Sequence, residues 1–315
     1  MKGTLYRGLI QGLKTTLKLG KVIFPITLII TILQFTPVFP WFMNIISPLM
    51  GLFGLSGEAA VPLVLGNGLN LYAGIAAIIS FDFTVKEVFI MAVMLSFSHN
   101  LFIESAVATS VGVRWWIIVG IRVGLAVISG LLINLFWSGG SELAQYGFIS
   151  SNEVVLNNWW EIGLHGAQAA AIAIVQLACI VIPLMIIMQI MRELGWMTAM
   201  SNKLAPFMKL LGIDKRASMT MVAGLTIGLA FGAGLMMQAV KEDNVPKKDM
   251  YLALIFLVSC HAVVEDTLVF IPLGIPVWPL LIIRLSVAII LTMVIAYFWK
   301  KEERKVQHEH SYHSV

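Results

Sequence analysis

The chain has 315 residues, of which 59% are hydrophobic and only 12% charged, with a net charge of +4 and a mean hydropathy of +0.90. Soluble domains carry about 45–50% apolar and about 25% charged residues, so this balance excludes an ordinary soluble domain and reads as an all-α, polytopic membrane protein. Basic residues cluster beside apolar segments rather than in a basic domain, which argues against a nucleic-acid partner, and Cys179 and Cys260, both inside apolar segments, make no disulfide or thiolate framework.

In chain order there are four apolar segments, roughly 22–45, 59–80, 85–104 and 115–137, and then four more, 166–191, 217–240, 250–271 and 276–299. Each is close to the ~20 residues that a spanning helix needs. The second set repeats the first. At a shift of 158, Pro25, Pro48, Gly54, Gly66 and Gly74 meet Pro183, Pro206, Gly212, Gly224 and Gly232; at a shift of 162, Lys86, His99, Gly112, Trp116 and Arg122 meet Lys248, His261, Gly274, Trp278 and Arg284. Glu104 and Ser105 then meet Asp266 and Thr267. Matches at Pro, Trp and charged positions are rare in apolar sequence, so the chain divides into a first repeat (1–137), an external linker (138–163), a second repeat (164–299) and a tail (300–315).

Charge sets the expected orientation. The first 21 residues hold five Lys or Arg and no acid. Residues 138–165 hold Glu142, Glu153 and Glu161 with no Lys or Arg, whereas 192–216 hold five basic residues and the tail opens on Lys300 and Lys301. The positive-inside rule therefore puts both termini in the cytoplasm and the linker outside. Each repeat must cross an odd number of times, so one of its four segments does not cross. The Gly-rich second segment, GLSGEAAVPLVLGNGLNLYAG in one copy and GIDKRASMTMVAGLTIGLAFG in the other, is the natural exception. It reads as a re-entrant hairpin or broken helix, leaving three spans per repeat in two copies of inverted topology. Pro25 and Pro183 lie inside the first spans, where they favour kinks.

Polar residues inside such segments are costly and are functional candidates. The third segments contain SFSHNLFIES and VSCHAVVEDT, with His99, Asn100, Glu104 and Ser105 in one and His261, Glu265, Asp266 and Thr267 in the other. On regular helices Asn100 shares a face with Glu104, and His261 with Glu265; an unwound helix would also offer its carbonyls to an ion or solute. The competing reading is structural: Arg122 and Arg284 fall level with Glu104 and Asp266 on antiparallel neighbours and form buried ion pairs with them. Asn67 and Asn70 in the first hairpin correspond to Leu225 and Gly228 in the second, an asymmetry that suits polar recognition by the first hairpin; the alternative is that Asn67 caps a helix beside Gly66 and Gly68. Gln34, Gln176, Gln189 and Gln238 suit interhelical hydrogen bonds, Met236 and Met237 core filling, and the tail HEHSYH a solvated segment that also carries the elements of a metal chelate.

The paired patterns SPLMGLFGL…LGNGLNLYAG and APFMKLLGI…AGLTIGLAFGAG resemble the Gate, or nucleoside-recognition, domain family of bacterial inner-membrane proteins. Related modules occur in sporulation membrane proteins, in ferrous-iron permeases and, more distantly, in concentrative nucleoside transporters. The resemblance covers nearly the whole chain, one domain per repeat. It implies a central site at the hairpins and third segments, falling on Asn67, Asn70, His99, Asn100, Glu104, Ser105, His261, Glu265, Asp266 and Thr267. It differs from the iron permeases in lacking a GTPase domain and from the nucleoside transporters in its polar residues. The expected function is a secondary transporter or permease of the bacterial inner membrane for a small polar solute or ion, with no cofactor and no enzymatic activity; partners are the lipid bilayer and either a second copy or a second membrane subunit. The alternative is a non-transporting component of a complex, or an intramembrane enzyme built on the two His segments.

This topology is directly testable. A cysteine replacing Ser151 should react with an impermeant reagent added to intact cells, and one in the tail should react only after permeabilisation. External labelling of the tail would overturn the inverted arrangement.

Overall fold

The computed structural model describes residues 2–110, 112–146, 158–229 and 246–312. Among these residues there are thirteen α-helices and no strand, apart from an isolated bridge between Thr84 and Leu143. In order they are α1 (Lys2–Gln34), α2 (Val38–Gly51), α3 (Ala60–Gly68), α4 (Leu71–Ile79), α5 (Val85–Ser98), α6 (Leu101–Ser110), α7 (Trp115–Phe136), α8 (Trp159–Glu193), α9 (Trp196–Leu210), α10 (Ser218–Ile227), α11 (Lys247–Ser259), α12 (Val263–Leu268) and α13 (Val277–Tyr312). Six stretches among them are long and apolar enough to cross a membrane: Gly3–Gln34, Val85–Thr109, Trp115–Phe136, Trp159–Glu193, Lys248–Leu268 and Val277–Lys301. That is three per repeat, as the charge argument requires.

Several boundaries differ from the sequence reading. The segment at 22–45 is divided, because the chain turns at 35–37 before Pro37 and starts α2 at Val38. Proline lacks the N–H that would continue α1. Trp159 and Trp160 open α8 rather than closing the linker, since the side chain of Asn158 accepts from the Glu161 N–H and caps the helix. Residues 196–210, read as a cytoplasmic connection, form α9, and the tail, read as solvated and unstructured, continues α13 as far as Tyr312. Pro25 and Pro183 lie inside continuous helices α1 and α8. The return arm of the second hairpin, with Met236, Met237 and Gln238, lies outside the described residues.

The structure groups the chain into two compact units whose members come from both repeats. One unit comprises residues 1–102, 120–194 and 264–281. Its scaffold is the antiparallel pair α1 and α8, which approach backbone to backbone. A Cβ at Gly8 would lie 2.7 Å from the Cα of Ile186, and one at Gly12 2.8 Å from the Cα of Ile182. This small-residue spacing permits dispersion contacts that larger side chains would prevent. At the end of the pair Arg7 meets Glu193 at 2.7 Å, an exposed bridge that adds little. The unit also contains the first hairpin. Helices α3 and α4 fold back on each other around Asn70, whose side chain accepts from the Ala73 N–H and caps α4. Gly66 and Gly74 meet at the contact, where a Cβ on Gly74 would lie 3.0 Å from the Gly66 Cα. The predicted re-entrant segment is therefore a helical hairpin, and α5 begins beside it with a reciprocal cap between Thr84 and Glu87.

The other unit comprises residues 103–119, 195–263 and 282–315. Here α9 turns through Gly212, with φ +73°, into α10, the entering arm of the second hairpin. Ser201 and Ser218 share a hydrogen bond of 2.9 Å across that turn. Helix α10 ends at Gly228, with φ +88°.

Gly66 and Gly224 serve the same purpose in their respective units. A Cβ at Gly66 would come within 2.5 Å of a Leu95 methyl, and one at Gly224 within 2.5 Å of a Leu257 methyl. Gly224→Ala should lower stability by roughly 1–3 kcal/mol through overpacking, and Gly224→Leu by more. Adding Leu257→Ala to Gly224→Ala should recover part of the loss. Thermal unfolding in detergent checks both; an unaltered melting temperature for Gly224→Leu would overturn the close contact.

Candidate functional site

The third segment of each repeat is broken at its histidine. Helix α5 stops at Ser98, His99 leaves the helix with ψ 155°, and Asn100 takes a left-handed φ of +52° before α6 begins at Leu101. In the second repeat α11 stops at Ser259, and Ala262 has φ +41° just before α12. Asn tolerates that conformation readily, whereas for Ala it costs of order 1–2 kcal/mol. The cost is met by specific hydrogen bonds. The Asn100 N–H donates to the Gly66 carbonyl at 2.8 Å, and the Ala262 N–H donates to the Gly224 carbonyl at 3.0 Å. Helix α3 and helix α10 thus each satisfy the backbone of a broken helix, and the glycine in each allows the approach.

Buried arginines complete the breaks. Arg122, with no solvent exposure, donates from Nε to the Phe97 carbonyl at 2.8 Å and from Nη2 to the His99 carbonyl at 2.6 Å. Arg284, equally buried, donates from Nη2 to the His261 carbonyl at 2.9 Å. Carbonyls at a helix C-terminus carry partial negative charge and have no intrahelical donor. The sequence suggests carboxylates as partners for these arginines; the carbonyl contacts give them the further role of capping the interrupted helices.

The histidines have defined tautomers. His99 Nδ1 is 2.8 Å from the Leu95 carbonyl, and His261 Nδ1 is 2.8 Å from the Leu257 carbonyl. A carbonyl only accepts, so in both residues Nδ1 carries hydrogen and Nε2 is left for a partner outside its own helix. Each Nε2 is presented to a carboxylate from the other repeat. In the first unit His99 Nε2 is 3.8 Å from Asp266 Oδ2, and in the second His261 Nε2 is 3.2 Å from Glu104 Oε2. All four side chains are buried. Each of these two pairs therefore joins a histidine of one repeat to an acid of the other.

Such a pair is stable in low dielectric when one proton or another cation lies between nitrogen and oxygen. With neither, a lone pair faces a negative charge in surroundings where water cannot compensate. Ser105 and Thr267, buried immediately after the acids, add hydroxyls beside them.

The remaining predicted residues divide differently. Asn70 is used by its cap, and Asn67 donates to the Leu63 carbonyl at 2.7 Å, so it is Asn70 rather than Asn67 that terminates a helix here. Glu265 does not share a helical face with His261, because the break at 260–262 separates them. It accepts instead from the Tyr72 hydroxyl at 2.5 Å, within the first unit. Tyr72 also lines a narrow cleft of that unit with Ile75, Ala76, Gln176, Val269 and Pro272. Sequence reasoning missed Tyr72. The available signal was asymmetry, since the positions matching Tyr72 and Glu265 in the opposite repeats are Ala230 and Ile103.

The comparisons with known proteins agree with this architecture. The chain is similar to the "Uncharacterized membrane protein YvoD" of Bacillus subtilis (strain 168), with 60% identity over 301 residues, covering 96% of each chain. No solved structure matches it. The profile of the Gate family, described as nucleoside recognition, matches residues 16–122 and again 174–275, two matches that begin at the repeat spacing of 158. Two copies of that domain account for both broken helices and their histidines, and the chain belongs to the Gate family of membrane proteins.

Proposed function

We propose that this membrane protein is a secondary transporter or permease of the bacterial cytoplasmic membrane, with both termini cytoplasmic, and that it moves a small polar solute or ion by way of its two helix breaks. The observation that carries the reading is the recurrence, in both repeats, of a buried His Nε2 facing a buried carboxylate beside an interrupted helix. Ionisable side chains within membrane segments are rare outside solute paths and proton relays. Discontinuous helices bring carbonyls and helix ends to the same place, as in transporters built from inverted repeats. The reading takes the protein as a carrier rather than an enzyme, because a pair that exchanges one proton or cation supplies a coupling site without a nucleophile.

Purified protein in proteoliposomes should show uptake of a member of a panel of inorganic cations, nucleosides and other small polar solutes, with a pH-sensitive dye reporting internal pH. His99→Gln, His261→Gln and Asp266→Asn should each elute as folded protein yet lower flux by at least about tenfold, equivalent to roughly 1.4 kcal/mol in the transport barrier. A purely structural pair behaves otherwise: removing one partner would destabilise by about 3–5 kcal/mol and removing both would restore much of that. A folded and fully active variant lacking His99, Glu104, His261 and Asp266 together would refute the mechanism.

A further inference from the structure

The two short helices that follow the first span of each repeat share one design and differ in charge. In α2 the exposed apolar residues Val38, Phe42, Ile45, Leu49 and Leu52 fall at helical spacing on one face, and Met43 and Met50 are buried on another. In α9 the face matching Val38, Phe42, Leu49 and Leu52 is Trp196, Met200, Phe207 and Leu210, all exposed, and Met208 is buried where α2 has Met50. The position matching Ile45, however, is Lys203, in the middle of the exposed apolar stripe, and the position matching Gly51 is Lys209.

Helix α9 has 15 residues, so at ~1.5 Å per residue it reaches about 22 Å, short of the ~30 Å hydrocarbon core. A lysine within its apolar face also excludes a crossing orientation in lipid. The side chain suits a different one: its four methylenes lie along the stripe while the ammonium extends to the headgroup level. Lys203, Lys209 and Lys215 are all exposed, and among the described residues no hydrogen bond or ion pair engages their ammonium groups. The neighbouring Arg216 is compensated locally, because it bonds to Asp214 and holds that carboxyl below its usual range. Helix α2 has no charged residue.

We infer that α9 lies in the membrane plane and binds the phosphate groups of anionic phospholipids through Lys203, Lys209 and Lys215, with Trp196, Met200, Phe207 and Leu210 seated among the upper acyl chains. An amphipathic helix with a basic edge gains affinity from apolar burial and from charge together. The inference is independent of what the protein transports.

The test uses the full chain with Cys179 and Cys260 replaced, a fluorophore on Met200→Cys or on Phe42→Cys, and vesicles of phosphatidylcholine and phosphatidylglycerol in equal amounts. Bromine is placed on the acyl chains of one lipid or of the other. At Met200→Cys brominated phosphatidylglycerol should quench roughly twofold more than brominated phosphatidylcholine, and at Phe42→Cys the two should quench alike. Lys203→Gln, Lys209→Gln and Lys215→Gln together should abolish the excess, and the corresponding Arg substitutions should keep it. Equal quenching at Met200→Cys, absence of quenching by either lipid, or an excess that survives the Gln substitutions would overturn the proposal. The first two outcomes are read without any charge variant, so a variant that fails to fold leaves the test intact.

Discussion

Two backbone hydrogen bonds hold the rest in place: the Asn100 N–H to the Gly66 carbonyl, and the Ala262 N–H to the Gly224 carbonyl. A helix interrupted at membrane depth exposes donors and acceptors that lipid cannot satisfy, and each one left unsatisfied costs about 1–3 kcal/mol even in a protein interior. A glycine carbonyl of α3 or α10 supplies the acceptor and a buried arginine supplies the donors. The glycine is required because Leu95 or Leu257 occupies the space a side chain would need. Gly-bearing helix, broken helix and arginine are therefore one structural device, seen in both repeats, and its product is a histidine held with Nδ1 bonded and Nε2 turned to a carboxylate.

Because the histidine is fixed by its own helix and the acid by another, the geometry of each pair is set by packing and not by local sequence. Asp266 lies at the start of α12 and Glu104 in α6, each on a short helix that restarts after a break. The first unit adds Tyr72 on Glu265, a contact with no counterpart among the matching residues Ala230 and Ile103. Two repeats of common design have thus acquired unequal surroundings for the same histidine–carboxylate motif.

Much of this was legible in the sequence for physical reasons. Hydropathy marked eight apolar segments, and the charge of 138–165 against 192–216 reduced them to three spans per repeat. Glycines 66, 74, 224 and 232 marked a segment that no lipid-facing helix would tolerate. His99 and His261 stood out because buried ionisable residues are rare. What was not legible depends on tertiary partners. Periodicity within one helix says nothing of which repeat supplies the carboxylate that a histidine meets. A four-residue spacing put His261 and Glu265 on one face only if the helix continued through Ala262, and it does not. Helix α9 was hidden by its lysines, which read as loop charge when counted without their position on the wheel. Gly8 and Gly12, four apart on α1, carried a contact with α8 that their spacing alone could have announced.

The crossed pairing has an evolutionary consequence. The pairs His99–Asp266 and His261–Glu104 each take one residue from each half of the chain, so a change in either repeat bears on both pairs. Positions 99 and 266 form one unit of inheritance and positions 104 and 261 another, each linking the two halves of the gene. Substitutions accepted at one histidine should covary with the acid of the other repeat, and recombination that exchanges a single repeat between diverged relatives would disrupt both pairs together.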